Sequence, residues 1–418
     1  MKMTELYDVK DEEERVILVG VCTGDEQETI ECLDELEELA KTAGAITVAK
    51  IYQNRDSIHP GTYIGKGKIE ELKSMIYEYE ATGIVCDDEL SPAQLKNLEE
   101  ELEAKVIDRT VMILDIFAQR ASTREGKIQV EMAQLKYRSS RLIGLGSSLS
   151  RLGGGIGTRG PGEKKLEVDR RLIRDRITQL NKELEQVKKN RDTLRRQRSK
   201  NPVPIVAIVG YTNAGKSTLL NTLTDACVLE EDKLFATLDP TTRNLEMESG
   251  QQILLTDTVG FIRKLPHHLI NAFRSTLEEA KYADIILHVV DSSSRAVVRQ
   301  METVYETLNN LGVKDKVFVT AFNKQDKLTE EVILKDTQAD YTVKISAKKR
   351  IGLDNLLEVL EAILKESKVY IEKVFSYQDA GEIQRIRKYG QLIEEKYLEN
   401  GIFVKAYVPR EIYNPDKM

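Results

Sequence analysis

The stretch VPIVAIVGYTNAGKS, residues 203–217, decides the fold of the central part of this 418-residue chain. Residues 203–209 are apolar and predict a short buried strand. The next eight residues fit the pattern GxxxxGK[ST], and residues 218–223 continue with the apolar spacing of a helix. A strand, a glycine-rich loop and a helix in this order predict a phosphate-binding loop in an α/β domain.

Each residue type in this loop has a chemical role. Backbone N–H groups beside the glycines surround phosphate oxygens, Lys216 supplies charge at the outer phosphates, and Ser217 offers a hydroxyl to Mg²⁺. The predicted nucleotide contacts of the loop are Gly210, Tyr211, Thr212, Asn213, Ala214, Gly215, Lys216, Ser217 and Thr218.

A second motif, DTVG at 257–260, follows a predicted strand at 253–256. A carboxylate at the carboxyl end of a strand that faces the phosphate loop can hold Mg²⁺ through water, which predicts this role for Asp257. Gly260 permits close approach of the backbone to a γ-phosphate. The predicted contacts of this motif are Asp257, Thr258, Val259 and Gly260.

Two motifs further along predict a guanine site. The Asp326 carboxylate of NKQD can accept hydrogen bonds from the N1–H and the exocyclic amine of guanine, a donor pair that adenine lacks. SAK at 346–348 completes the base pocket, and both motifs follow predicted strands. The predicted base contacts are Asn323, Lys324, Gln325, Asp326, Ser346, Ala347 and Lys348. Because ligands bind at the carboxyl ends of strands in open α/β sheets, this order predicts a GTP-binding domain that uses GTP or GDP with Mg²⁺.

The whole chain is predicted to be of the α/β class, with four domains. Residues 1–108 alternate short strands and helices and predict a small parallel α/β domain. Residues 109–200 form a helical hairpin, 201–366 the P-loop GTPase domain, and 367–418 a short α+β tail domain.

The hairpin prediction rests on two helical stretches, about 109–142 and 164–198, on either side of a glycine-rich connection that contains Pro161. The second stretch has a heptad seam that Arg191 interrupts, which favours coiled-coil packing against the preceding helix. The apolar positions of this seam are Leu166, Ile173, Ile177, Leu180, Leu184, Val187 and Leu194.

Positive charge accumulates around the connection, although the chain as a whole has a formal net charge of −7. Glycine-rich backbone with interleaved cations suits phosphate-rich RNA, and the basic stretch 188–200 adds a second patch. The alternative is a surface loop with incidental charge. The predicted RNA contacts are Arg151, Gly153, Gly154, Gly155, Arg159, Lys164 and Lys165.

Composition excludes other classes of protein. No apolar run approaches the length of a membrane span, and the acidic amino-terminal residues lack an apolar signal core. The four cysteines have neither metal-ligand nor disulfide-framework spacing. These features predict a cytoplasmic protein without a membrane segment.

Five stretches together resemble the HflX family of ribosome-associated GTPases, within the translation-factor-related P-loop GTPases. They are GYTNAGKSTL at 210–219, FATLDPTTR at 235–243, DTVGFI at 257–262, GGGIGTRGPGEKKLEVDRR at 153–171 and HPGTYIGKGK at 59–68. The resemblance implies a GTPase that acts on the large ribosomal subunit and its rRNA, splits stalled or idle ribosomes, and is monomeric in action.

The resemblance also implies site residues. Thr237 would be the switch threonine that closes on Mg²⁺ and the γ-phosphate, although Thr241 and Thr242 compete for this role. The family pattern adds Phe235, Ala236, Thr237, Leu238 and Asp239 to the GTP contacts. Lys216, Thr237 and Gly260 would be catalytic, and Ser217, Thr237 and Asp257 would hold the metal.

Two positions bear on the mechanism of hydrolysis. Phe261 stands where many related GTPases place a glutamine that orients the attacking water, which a phenyl ring cannot do. Hydrolysis is therefore expected to be slow until ribosomes complete the site, while the plainer interpretation is that Phe261 packs inward. Asn213 resembles the asparagine of GTPases that use K⁺ beside the phosphates, or it simply tolerates a turn conformation.

Two other functions remain open at this point. A GTPase of large-subunit assembly would share the GTP site and the basic hairpin. A regulatory timer outside the ribosome would use the GTPase to control a protein or membrane partner, with the coiled coil forming a dimer.

Overall fold

A computed structural model describes residues 13–149, 161–198, 203–224, 234–235, 237–248, 250–264, 279–330, 333–366 and 368–409. The chain divides into two units. The first contains residues 1–121, 127–181 and 264–270, and the second contains residues 122–126, 182–263 and 271–418.

The first unit contains a parallel sheet of four strands in the order β2-β1-β3-β4. Its strands are β1 (Arg15–Cys22), β2 (Ile46–Asn54), β3 (Gly83–Cys86) and β4 (Lys105–Asp108). Its connecting helices are α1 (Glu26–Ala43), α2 (Lys66–Glu78) and α3 (Pro92–Leu102), and α4 (Arg109–Arg120) follows β4. The predicted parallel α/β domain is therefore confirmed.

Local sequence explains where these helices begin. Asp25 accepts the backbone N–H of Gln27 at the start of α1. At α3, Ser91 and Gln94 form a reciprocal capping box, and Pro92 occupies the first turn. Such caps satisfy backbone donors that a helix leaves unpaired at its amino end.

The prediction of one helix at 109–142 is wrong, because the structure has two helices there. α4 ends at Arg120, Ala121 has extended backbone with ψ of 111°, and α5 runs from Arg124 to Leu149. The Thr123 hydroxyl accepts the Gly126 N–H at 3.0 Å, so Thr123 caps the new helix. The connection is also shorter than predicted, because α6 (Pro161–Arg198) begins at Pro161, a residue well suited to a first helical turn.

α5 and α6 pair in antiparallel fashion. Within the first unit, Arg176 bonds Glu131 at 2.7 Å, and Arg170 donates to the Leu142 carbonyl at 2.7 Å. Within the second unit, Arg191 bonds Glu125 at 3.0 Å. The residue that interrupts the heptad seam thus faces a carboxylate of the partner helix.

The second unit contains a six-stranded sheet in the order β10-β9-β8-β5-β7-β6, parallel except for β6. Its strands are β5 (Ile205–Gly210), β6 (Thr241–Glu246), β7 (Gln252–Asp257), β8 (Ile285–Asp291), β9 (Val317–Asn323) and β10 (Tyr341–Lys344). The described helices are α7 (Lys216–Thr224), α8 (Val297–Asn310) and α9 (Leu353–Glu366). β5 lies at the centre, so the loop after it lies at the middle of the carboxyl edge.

The tail forms an antiparallel sheet of three strands in the order β11-β13-β12. Its elements are β11 (Lys368–Phe375), α10 (Ala380–Tyr389), β12 (Gln391–Leu398) and β13 (Gly401–Pro409). Ile383 and Ile386 of α10 pack in one cluster with Val404 and Ala406 of the central strand. In the described parts of the chain, no helix is both long and apolar enough to cross a membrane.

Candidate nucleotide site

The predicted motifs of the second unit meet at one edge of its sheet. Gly210 ends β5, Asp257 ends β7 and Asn323 ends β9, and these strands lie side by side with β8 between β5 and β9. Because parallel strands place their carboxyl ends at the same edge, the side chains that follow them converge. A nucleotide that lies across this edge would reach all three.

Lys216 opens α7 and is buried inside the phosphate loop. Its Nζ donates to the Tyr211 carbonyl at 2.7 Å. Burial lowers the pKa of Lys216 to about 8, although Asp257 acts to raise it. A buried ammonium group with few neutralising partners is suited to receive the charge of a polyphosphate.

Three oxygen-bearing side chains form a cluster beside this lysine. The Ser217 hydroxyl lies 2.8 Å from the Thr237 hydroxyl, and each donates to the Asp257 carboxylate oxygen Oδ2 at 2.8 Å. Asp257 is fully buried, and burial raises its pKa despite these bonds. Ser217, Thr237 and Asp257 are the three residues that the sequence proposes for the metal, and they are called the metal cluster below.

The donor set of this cluster fits Mg²⁺. The second carboxylate oxygen of Asp257, Oδ1, is buried and has no hydrogen-bond partner. A buried acceptor that lacks a donor is costly unless a cation or water satisfies it, and Mg²⁺ prefers such oxygen ligands. Ser217, Thr237 and Asp257 are the residues that would hold the ion. Thr241 begins β6 and Thr242 bonds Thr256 at 3.0 Å, so neither competitor shares this cluster.

Gly260 and Phe261 bring the DTVG motif against the phosphate loop. A Cβ atom on Gly260 would lie 2.9 Å from the Thr212 Cα atom and 3.0 Å from Lys216 Nζ, so only glycine fits. Phe261 pairs through its backbone with the loop, since its carbonyl accepts the Thr212 N–H at 2.8 Å and its N–H donates to Gly210 at 3.1 Å. Its ring is only 3% exposed, as the plainer interpretation expects.

The side chains after β9 connect the base motifs to the phosphate loop. Asn323 donates to the Ala214 carbonyl and accepts the Ala347 N–H, both at 2.9 Å. Asp326 is exposed, and the Ser346 hydroxyl donates to one of its oxygens at 2.5 Å. This hydrogen bond lowers the pKa of Asp326, which keeps the carboxylate ionised. An oriented, exposed carboxylate can accept the two donors of guanine.

Asp291 belongs to this network and is absent from the sequence-based proposals. Lys324 reaches from the NKQD motif to the Asn213 carbonyl and to Asp291, at 2.7 Å in each case. Asp291 ends β8 at the same edge of the sheet as Asp257. The signal that identified Asp257, a carboxylate at the end of an apolar strand, was therefore available for Asp291 as well.

The structure describes most of the segment around Thr237 that the family pattern adds to the GTP contacts. Phe235 and Leu238 are buried, at 3% exposure each, and Ala236 lies outside the described residues. The Asp239 carboxylate accepts hydrogen bonds from Ser122 and Thr123, so its contact with a nucleotide stays a prediction.

Asn213 adopts the left-handed backbone conformation, with φ of 58°. This agrees with the turn interpretation of that residue, because asparagine tolerates such a backbone better than most residues. Its proposed role beside K⁺ stays a prediction.

The proposed RNA contacts are described only in part. Arg151, Gly153, Gly154, Gly155 and Arg159 lie outside the described residues, whereas Lys164 and Lys165 belong to the beginning of α6. Their interaction with RNA remains a prediction.

Comparisons with known proteins cover nearly the whole chain. Three family models match: GTP-binding GTPase N-terminal over residues 31–118, GTP-binding GTPase middle region over 120–198, and 50S ribosome-binding GTPase over 205–324. The chain is 69% identical to GTPase HflX of Lacrimispora saccharolytica, covering 98% of this chain and 97% of that protein. It is 42% identical to GTPase HflX of Escherichia coli, covering 85% of this chain and 84% of that protein.

Among solved structures, the chain is similar to a GTP-binding protein from the archaeon Sulfolobus solfataricus in complex with GDP. The identity is 26%, the TM-score is 0.46, and the match covers 84% of this chain and 99% of that chain.

Proposed function

The chain belongs to the HflX family of GTPases, and on that premise we propose that it binds the large ribosomal subunit and splits stalled or idle ribosomes. The chain is a GTP hydrolase, so GTP is the energy source of the proposed splitting reaction. One observation carries the GTP-dependent step: Ser217 and Thr237 donate to one oxygen of the buried Asp257 carboxylate, whose second oxygen lacks a partner.

We propose a part in nucleotide binding for each of these residues. Lys216 would move its Nζ from the Tyr211 carbonyl to the outer phosphates, and Asp326 would select guanine. A bound Mg²⁺ supplies positive charge at the β- and γ-phosphates. Thr237 reaches the metal cluster from the segment before β6, so its position would report whether a γ-phosphate is present.

Hydrolysis is proposed to be slow on the isolated protein. The buried ring of Phe261 cannot orient water by hydrogen bonding, and its backbone pairing with the phosphate loop keeps it in place. Contact with the ribosome would supply the missing group or rearrange this segment. K⁺ beside Asn213 is a further candidate for neutralising charge in the transition state.

Engagement of rRNA is assigned to the helical hairpin. Charge pairing between α5 and α6 uses Glu125 and Glu131 with Arg191 and Arg176, which sets the two helices side by side. The basic stretch 188–200 and the glycine-rich connection would then contact RNA phosphates, a salt-dependent interaction. Binding energy at these contacts would displace contacts between the ribosomal subunits, and hydrolysis would release the factor.

Two alternatives lead to different experimental outcomes. A GTPase of large-subunit assembly would be stimulated by immature particles and leave mature ribosomes intact. A regulatory timer would self-associate and bind no rRNA. The match to a 50S ribosome-binding GTPase model favours a ribosomal partner over the timer.

The test combines two measurements on the full chain. GTP turnover is measured with and without large ribosomal subunits, and sucrose gradients follow intact ribosomes mixed with protein and GTP. Strong stimulation together with loss of intact ribosomes supports splitting. Stimulation without splitting favours the assembly alternative, and turnover that ignores ribosomes contradicts any ribosomal role while leaving the GTPase intact.

A further inference from the structure

Asp239, two residues after Thr237, makes contacts that the nucleotide site does not require. Its Oδ2 atom accepts the Ser122 N–H at 2.9 Å, the Ser122 hydroxyl at 2.7 Å and the Thr123 N–H at 2.8 Å. Its Oδ1 atom accepts the Thr123 hydroxyl at 2.5 Å. Four hydrogen bonds from two successive residues thus hold one half-buried carboxylate within the second unit.

Gly126 makes room for this carboxylate. It is buried in the first turn of α5, where a Cβ atom would lie only 2.5 Å from Asp239 Oδ1 and 3.2 Å from the Thr123 hydroxyl. Glycine weakens a helix relative to alanine, so its presence there needs a reason. The approach of Asp239 supplies that reason. Ser122, Thr123, Gly126 and Asp239 are called the α5 clasp below.

Electrostatics also favour the α5 clasp. The amino end of a helix carries partial positive charge, which stabilises a carboxylate placed against its first turn. Burial alone would raise the pKa of Asp239, but the hydrogen bonds from Thr123 and Ser122 outweigh it and lower the pKa. The carboxylate is therefore ionised at neutral pH and bound in its charged form.

The clasp lies at one end of a short chain segment whose other end is the metal cluster. Thr237 bonds Ser217 and Asp257, and one residue separates Thr237 from Asp239. A segment this short cannot move one of these residues far without moving the other, because neighbouring Cα atoms are about 3.8 Å apart. The contacts of Thr237 and those of Asp239 are thus mechanically linked.

We infer that Asp239 is a positioning residue, which holds Thr237 in its place at the metal cluster and couples the γ-phosphate to the first turn of α5. This inference rests on the proposed role of Thr237. It has a reciprocal consequence: whatever fixes the first turn of α5, including RNA bound by the hairpin, strengthens the binding of GTP relative to GDP.

The rival explanation is a purely structural contact that fastens α5 whichever nucleotide is bound. The two explanations differ in a measurable way, because GDP has no γ-phosphate for Thr237 to approach. A positioning residue changes the affinity for a GTP analogue and leaves that for GDP nearly unchanged. A structural contact changes both affinities alike, or only the unfolding midpoint.

The experiment uses the full chain with two clasp variants and two matched controls. D239N places an amide N–H₂ group against N–H donors, and G126A places a methyl group against Asp239. D340N is the control for the first, because Asp340 accepts the Phe318 N–H at 2.8 Å in an exposed loop. G381A is the control for the second, because a Cβ atom on this glycine of α10 would meet nothing within 4 Å.

Affinities for GDP and for a non-hydrolysable GTP analogue are measured with Mg²⁺ present. Both clasp variants are expected to bind the analogue about tenfold more weakly, a loss at the lower end of what hydrogen bonds to a charged group contribute, with less than a twofold change for GDP. The controls keep the wild-type ratio of the two affinities. Equal weakening of both nucleotides in the clasp variants, or no weakening, overturns the inference.

Amide hydrogen exchange of residues 122–126 gives a second readout. In the wild-type chain the analogue slows exchange there relative to GDP, since the Ser122 and Thr123 amides donate to Asp239. In D239N this difference disappears, and its persistence would contradict the clasp.

T237A separates the inference from its premise. If T237A leaves analogue affinity unchanged, the proposed role of Thr237 fails. If T237A weakens it while D239N and G126A do not, only the α5 clasp fails.

Discussion

The two parallel sheets of this chain both carry acidic residues where their strands end, yet the surroundings of those carboxylates differ. In the first unit, Asp87 follows β3 and accepts Arg109 at 2.8 Å, while Lys264 bonds both Asp87 and Asp88. In the second unit, Asp257 retains a buried oxygen without a partner beside the phosphate loop. One edge is neutralised by its own side chains, and the other is left to receive a cation.

Other carboxylates at the edge of the first sheet also have their hydrogen-bond partners within the first unit. Asp108, at the end of β4, accepts the Tyr137 hydroxyl at 2.9 Å, Arg141 at 2.6 Å and the Leu90 N–H at 3.0 Å. Burial alone would lower the pKa of Lys264, but Asp87 and Asp88 outweigh it and raise the pKa to about 12. The comparison teaches that a parallel sheet edge becomes a nucleotide site through unsatisfied acceptors and a donor-rich loop, rather than through its topology.

Removing Arg109 should have the largest effect on the first edge. R109A leaves the buried Asp87 and the partly buried Glu35 without their shared cation, which is expected to cost about 3–5 kcal/mol of unfolding free energy. The measurement is urea unfolding followed by circular dichroism. K50A, which removes a solvent-facing partner of Asp34, should cost less than about 1 kcal/mol. Similar losses in the two variants would contradict the structural role of this edge.

Replacing a lysine by alanine should affect GTP turnover differently in the two units. K216A removes the buried ammonium group of the phosphate loop, so GTP turnover should fall by about a hundredfold to a thousandfold. K68A alters the first turn of α2 in the first unit, where Lys68 pairs with Glu71 at 3.0 Å, and turnover should stay within twofold. A large loss in K68A would mean that the first unit takes part in the chemistry.

Replacing the Asp326 carboxylate by an amide should change which base the site prefers. D326N replaces an acceptor by a donor, so affinity for GTP should fall by about a hundredfold while affinity for xanthosine triphosphate rises. Xanthine presents a carbonyl where guanine has its amine, which the asparagine N–H₂ can bond. Competition binding with both nucleotides measures the switch. D340N should keep the preference for GTP, and an unchanged preference in D326N would remove Asp326 from the base site.

The smallest expected effect concerns how the affinity for GTP depends on pH. The pKa of Lys216 is lowered to about 8, so above that pH the side chain is mostly neutral in the free protein. Binding of GTP then requires Lys216 to take up a proton. Affinity for GTP should be flat below pH 8 and fall by at most about tenfold per pH unit above it. In K216R the guanidinium stays protonated, so the decline should vanish. A decline of equal slope in both proteins would assign it to another group.

Local patterns in the sequence predicted much of this second edge. The strand, the glycine-rich loop and the helix around Lys216 lie where the motif indicates, as does Asp257 at the end of β7. What the sequence did not predict depends on contacts between distant segments. The break in the helix at 121–123 is an example, because Asp239, more than a hundred residues away, binds there.

The pairing of Lys324 with Asp291 and the backbone bridge of Phe261 to the phosphate loop were missed for the same reason. Side-chain type and spacing along one element do not determine which loop will face it. The proposed RNA contacts from Arg151 to Arg159 lie outside the described residues and stay predictions.

The length of α5 gives its first turn a mechanical importance. The helix has 26 residues, and at 1.5 Å per residue it is about 39 Å long. One continuous helix therefore runs from the residues that bind the Asp239 carboxylate to the start of the glycine-rich basic connection.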